Sequence, residues 1–105
     1  MLILGLGTNL GDGLNNLRSA LQLLQKSSTI APLQISPVYT SSALLPAYAP
    51  AAWNRPYLNV ALACETSLSP FETLRQIKQI EKQLGREESQ RWAPRVIDID
   101  ILAWD

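Results

Sequence analysis

The sequence predicts an α+β fold whose elements run in the order β-α-β-β-α-β. Three features predict it. Two segments, 8–28 and 69–85, carry apolar residues at spacings of three and four, the signature of a helix with one buried face. Four short runs, 2–7, 29–40, 57–65 and about 96–103, are apolar or alternate in polarity, as strands do. And 105 residues, 47% of them hydrophobic, suit a single small domain with one core.

The first run, LILGLG, is a short apolar strand ending in glycines that lead into a turn. In the following segment Leu14, Leu17, Leu21 and Leu24 form one stripe of an amphipathic helix, with Asp12 or Asn9 as its N-cap. Residues 29–40, TIAPLQISPVYT, alternate loosely. Pro32 and Pro37 cannot donate to a ladder, which makes this an edge strand. Residues 57–65 are a clearer strand: Leu58, Val60, Leu62 and Cys64 face one way, and Tyr57, Asn59, Ala61 and Ala63 the other.

The second helix has almost every terminal signal. Ser69 caps it, Pro70 occupies its first turn and Glu72 closes a capping box. Leu74, Ile77, Ile80 and Leu84 supply its apolar face, and Gly85 ends it. In the last strand, RVIDIDILAWD, Ile97, Ile99 and Ile101 share one face, and Asp98 and Asp100 the other. This order is the ferredoxin-like split βαβ arrangement, an antiparallel sheet with both helices on one face. It places the isoleucines and Leu58, Val60 and Leu62 under the helices. Tyr57, Asn59, Asp98 and Asp100 then share the open face.

Nine basic and nine acidic residues give a net charge of zero, which argues against a broad nucleic-acid or membrane surface. With no histidine the chain has no imidazole base or metal ligand. One cysteine, Cys64, precludes an intrachain disulfide and is read as core packing. MLILGLG is too short for a membrane span or a signal peptide's apolar region, so the expected location is the cytoplasm.

Two linkers flank the open face. Residues 40–56, TSSALLPAYAPAAWNRP, contain three prolines and no periodicity. A connection that long is a solvated insertion or a functional loop, and Leu44, Leu45, Tyr48 and Trp53 are apolar enough to pack. The second, GREESQRWAPR, brings Arg86, Arg91, Arg95 and Trp92 near the aspartates.

Same-face strand neighbours lie roughly 6.5–7 Å apart at Cα, so Asp98 and Asp100 can converge on a hard cation such as Mg²⁺, which takes carboxylate and phosphate oxygens. The nearby arginines match phosphate geometry. Carboxylates, cation and arginines together point to phosphoryl-group transfer. A solvated strand face, with its aspartates paired to Arg91 or Arg95, explains the same residues. GLGTNLG fits neither a dinucleotide fingerprint nor a P-loop and is read as a strand-to-helix turn. Lys78 and Glu81, three apart on the second helix, are read as a surface salt bridge.

The stretch RWAPRVIDIDIL resembles the signature of the 6-hydroxymethyl-7,8-dihydropterin pyrophosphokinase family. Arg91, Ala93, Pro94, Arg95, Asp98, Ile99, Asp100, Ile101 and Leu102 meet that signature without a gap. LGLGTNLGD, YLNVALACETSLSP and IEKQLGR are similar to other family landmarks, so the resemblance spans the chain. It implies a folate-pathway enzyme that transfers pyrophosphate from ATP to the pterin's hydroxymethyl group and releases AMP. On this resemblance Asp98 and Asp100 hold two Mg²⁺ ions, a two-metal clamp on phosphate oxygens, and Asp98 also orients the hydroxyl. Arg86 and Arg95 match phosphate-contacting arginines. Ser41, Leu44, Tyr57, Asn59 and Trp92 match pterin-contacting positions; Lys78, Glu81, Arg95 and Ile101 match positions near the nucleotide.

The chain departs from the family in places. Lys78 stands where glutamine is common, and an acidic EES follows Arg86. The 44–53 loop is similar to forms fused to dihydropteroate synthase. Family members continue past the position of Asp105 with a Pro-His pair, arginines and aromatics. The expectation is therefore one pyrophosphokinase-like domain over 1–105 that lacks this C-terminal segment and depends on it for full activity. The competing expectation is a non-catalytic ferredoxin-like module that binds a pterin or a partner without forming AMP.

Overall fold

Leu2, Leu4 and Leu6 alternate with Ile3, Gly5 and Gly7 along the first strand, and this lets one strand bury an apolar row on one face while the two glycines keep part of the other thin. The computed structural model of the chain describes residues 1–86 and 93–105. Its elements are β1 (Leu2–Thr8), α1 (Gly13–Lys26), β2 (Ile30–Ile35), β3 (Tyr39–Ser41), a 3₁₀ turn (Ala51–Trp53), β4 (Tyr57–Thr66), α2 (Pro70–Gln83) and β5 (Asp98–Trp104).

Among the described residues the sheet is antiparallel throughout, in the order β2-β4-β1-β5, with β3 also on β4. The fold is α+β and ferredoxin-like, as the element order predicts. The core is one layer between sheet and helices. Leu2, Leu4, Leu6, Val60, Leu62, Cys64, Ile97 and Ile99 come from the sheet side, and Leu17, Ala20, Leu24, Ile77 and Ile80 from the helices. Cys64 is a buried free thiol within it. No helix among the described residues is long and apolar enough to cross a membrane.

The stretch predicted as one edge strand over 29–40 is instead two. β2 pairs with the far end of β4 and β3 with its start, at Tyr57–Asn59. Pro37 lies in the gap between them, where it removes a donor. Ser36 bridges the gap, its N–H donating to the Ala61 carbonyl at 2.9 Å and its Oγ accepting from the Ala61 N–H at 2.9 Å.

Both helices form where expected. Asp12 is the cap of α1, accepting from the Asn15 N–H at 3.2 Å. Ser69 and Glu72 form the capping box of α2. Their buried stripes differ from the expected ones by one residue. Leu14 is 58% exposed and Leu74 43% exposed. The buried rows run Leu17, Ala20, Leu24 and Thr73, Ile77, Ile80, each a step of three or four. Gly13 begins the first row. A Cβ there would come within 2.8 Å of Leu58 Cδ1, so a side chain at that point would push the Leu58 side chain aside.

Candidate active site

The open face of the sheet is built around two glycines. Gly5 and Gly7, expected to lead out of the strand into a turn, lie inside β1, the strand between β4 and β5. Gly7 is opposite Asn59 on one side and Asp98 on the other; Gly5 is opposite Ala61 and Asp100. Period-two alternation sends all of these side chains to the same face. The result is a trough floored by bare backbone, with Asn59 and Tyr57 on one wall and the two aspartates on the other. Its volume is about 310 Å³, and its lining includes Tyr39, Ser41, Ser42, Leu44 and Leu102.

A bulge shapes one end. The β1–β5 register passes from Leu4–Ile101 to Ile3–Ala103, leaving Leu102 as an extra residue. Its side chain covers Gly5, where an added Cβ would lie 3.0 Å from Leu102 Cδ1. At the other end an added Cβ on Gly7 would lie 3.2 Å from Asn59 Oδ1 and 3.3 Å from Tyr57 Cδ1. Both glycines therefore keep the floor low.

The Asn59 wall is polar and partly self-satisfied. Asn59 Nδ2 donates to Ser41 Oγ at 2.9 Å and to the Tyr39 carbonyl at 3.4 Å. Burial, followed by the negative charge of Asp98, raises the Tyr57 phenol above its ordinary pKa.

The aspartate wall is ionic. Arg86 Nη1 donates to Asp98 Oδ1 at 3.0 Å, and Arg95 Nη1 donates to the same oxygen at 3.5 Å. The pairing of an aspartate with Arg95 expected from the sequence thus occurs, and Arg86 joins it. Arg91 and Trp92 lie outside the described residues. Asp100 is raised above the ordinary carboxyl value, first by desolvation and then by the charges of Asp98 and Glu81.

Behind this wall Glu81 is buried at 2% exposure on α2. It pairs with Arg86, accepts from the Ile99 N–H at 2.8 Å and lies 3.2 Å from Lys78 Nζ. The expected Lys78–Glu81 bridge forms, but only its lysine end is at the surface. Asn9 fastens the neighbouring corner. Its Oδ1 accepts from the Arg95 N–H at 2.8 Å, its own N–H donates to the Arg95 carbonyl at 3.1 Å, and its Nδ2 donates to the Arg55 carbonyl at 3.1 Å. Asn9 is a staple between loops and not a helix cap.

The structure therefore brings together Ser41, Leu44, Tyr57, Asn59, Asp98 and Asp100 in one trough, with Arg86 and Arg95 on its ionic wall. It does not bring Lys78, Glu81 or Ile101 there; Ile101 packs against the core. Gly5, Gly7, Tyr39, Ser42 and Leu102 were not named as site residues from the sequence, and Asn9 was read only as a possible helix cap. The two glycines had a signal: spaced two apart in an apolar strand, they mark a face kept bare.

The donor set suits a hard cation. Two carboxylates share one open wall, and desolvation, followed by the like charges of Asp98 and Glu81, already raises Asp100, a stress that a bound cation relieves. Among the described residues no three acidic, histidine or cysteine side chains cluster as a metal cage. Mg²⁺ needs no such cage, since one or two carboxylates plus water and substrate phosphates suffice.

The model of the family described as 7,8-dihydro-6-hydroxymethylpterin-pyrophosphokinase (HPPK) matches residues 3–105. The chain belongs to this family. It is 42% identical over 101 residues to a folate synthesis bifunctional protein of Chlamydia muridarum, covering 96% of this chain and 22% of that protein. Two relatives are named 2-amino-4-hydroxy-6-hydroxymethyldihydropteridine pyrophosphokinase. The Bacillus subtilis protein is 37% identical over 102 residues, covering 97% of this chain and 58% of that protein. The Pseudomonas putida protein is 37% identical over 98 residues, covering 93% of this chain and 77% of that protein. The chain thus spans about a fifth of the bifunctional relative and 58% of the Bacillus one.

Proposed function

We propose that this HPPK-family chain transfers pyrophosphate from ATP to the hydroxymethyl group of 6-hydroxymethyl-7,8-dihydropterin. The observation that carries this reading is the single trough in which the Asp98–Asp100 wall faces the Tyr57–Asn59 wall across a glycine floor. A flat, polar-edged ring fits a bare floor with an aromatic and an amide beside it. A polyphosphate fits the arginine-bearing wall opposite.

In the reaction the pterin hydroxyl oxygen bonds to the β-phosphorus of ATP. The bond from that phosphorus to the α–β bridging oxygen breaks, AMP departs with that oxygen, and the hydroxyl proton is released. Ser41, Leu44, Tyr57, Asn59 and Trp92 hold the pterin. Asp98 orients its hydroxyl toward the phosphates, and Arg86 and Arg95 bind phosphate oxygens. Asp98 and Asp100 are the residues that hold Mg²⁺, which when bound neutralises phosphate charge. Lys78 stands on the nucleotide side. Direct nucleotide contact is not proposed for Glu81 or Ile101, whose side chains lie against the protein interior.

The proposal extends to location and context. A buried free thiol suits a reducing cytoplasm. The relatives named as bifunctional folate synthesis proteins support fusion to a second activity, and the partner proposed for this chain, by fusion or association, is a dihydropteroate synthase. The test is product analysis with ATP, Mg²⁺ and the pterin. AMP forms only when both substrates are present, and Asp98→Ala or Asp100→Ala each lowers the rate by about 10²–10³-fold, the cost of losing one element of charge stabilisation. Pterin binding with no AMP formed would contradict the enzyme reading and support a binding module.

A further inference from the structure

Glu81 is a buried carboxylate in a helix face otherwise made of Thr73, Ile77 and Ile80. Such a group is costly to bury unless it is paired and hydrogen-bonded. Its two engagements at Oε2 explain its position. One is the N–H of Ile99, the residue between Asp98 and Asp100; β5 is an edge of the sheet among the described residues, so this N–H has no strand to bond. The other is Arg86 Nη1, the same atom that donates to Asp98 Oδ1. Arg86 is thus suspended between a buried carboxylate and the carboxylate that the proposed function assigns to the cation.

That arrangement sets up a competition. A hard cation and an arginine both seek Asp98 Oδ1, and two arginines already occupy it. An arginine held only by Asp98 would oppose the cation. An arginine with a second, buried partner yields Asp98 and still stays on the wall. We propose that Glu81 is a positioning residue: it retains Arg86 beside the trough while Asp98 changes partner from arginine to cation, which leaves the guanidinium charged and available to a phosphate. This inference rests on the proposed function, because it presumes that Asp98 binds a cation there.

The experiment measures Mn²⁺ binding by electron paramagnetic resonance, in the presence of a non-hydrolysable ATP analogue, for the unsubstituted protein, Glu81→Gln, Arg86→Gln and the double variant. The Glu81→Gln substitution keeps an acceptor for the Ile99 N–H but removes the charge that holds Arg86. Melting curves for all four establish that they fold. The expected result is Mn²⁺ binding weakened about tenfold by Glu81→Gln, with the same substitution changing it less than about twofold in the Arg86→Gln background, the non-additivity of residues acting through one contact.

Equal weakening in both backgrounds, or none in either, would overturn the inference, because Glu81 would then act by its charge alone or not at all. Arg86→Gln gives an independent check. Measured without the nucleotide, it removes a competitor from Asp98, so Mn²⁺ binding tightens; weakened binding there overturns the proposed competition. Absence of Mn²⁺ binding by the folded, unsubstituted protein would instead overturn the underlying cation reading, and the inference with it.

Discussion

The two walls of the trough rise from β4 and β5, the two strands flanking β1, yet they are held in opposite ways. On the β5 side the groups around Asp98 are tied to something behind them: Arg86 to Glu81, Glu81 to the Ile99 N–H, and the Arg95 backbone to Asn9. On the β4 side Asn59 and Ser41 hold each other at an exposed rim. The loop beyond leaves Leu44 75% and Tyr48 80% exposed. The expectation that these two side chains pack fails, and the solvated-loop reading suits them better. The contrast teaches a division of labour. On the proposed function, the charges aimed at a phosphate are pre-positioned by buried partners, where a small misplacement is costly. The wall proposed to face a flat ring retains contacts that can reorganise around it.

The comparison breaks most readily on the held side. Glu81→Ala leaves the Ile99 N–H and Arg86 without their buried acceptor and is expected to cost about 3 kcal/mol, which lowers the melting temperature by roughly 15 °C for a domain of this size. A loss below about 1 kcal/mol would show that the ionic wall is not braced through α2. Next is the floor. Gly7→Ala drives a Cβ toward Asn59 and Tyr57; it is expected to leave the fold intact and weaken pterin binding about tenfold, an overpacking cost, as read by fluorescence titration.

A smaller effect concerns the start of α2, the helix that carries Glu81. The Ser69 backbone N–H holds the Glu72 carboxyl below its usual range. A carboxylate with a depressed folded-state pKa contributes stability above its unfolded value and loses it as pH falls through the folded one. Melting curves of Glu72→Gln should therefore decline less than those of the unsubstituted protein across the acid range. The smallest effects belong to the loose side: Leu44→Ala and Tyr48→Ala should each change stability by under about 0.5 kcal/mol. A larger loss in urea denaturation would erase the contrast between the walls.

Much of this was legible in the sequence because it follows from period and caps. Alternation alone put Tyr57, Asn59, Asp98 and Asp100 on one face, and the Ser69–Glu72 box located α2. The errors share a cause. Leu14 and Leu74 attracted the helical stripes because they are apolar, while the positions next to them that face the sheet are the half-buried Gly13 and the buried Thr73, set by how closely each helix approaches the sheet. Composition cannot report such an approach. Nor can it show that a glutamate three residues from a lysine turns inward to an edge-strand N–H. Asn9 was misassigned for a similar reason: its partners, Arg55 and Arg95, are 46 and 86 residues away in sequence, beyond any local pattern.

The most direct test of two differently specialised walls is an amide ¹H–¹⁵N NMR map of the protein titrated separately with the pterin and with a Mg²⁺-loaded, non-hydrolysable ATP analogue. The pterin is expected to shift Gly7, Tyr57 and Asn59, and the nucleotide Arg86, Asp98, Ile99 and Asp100. Shifts confined to the separate hollow beside Gly11, Gly13 and Asn54, with the trough unchanged, would contradict this division of the walls.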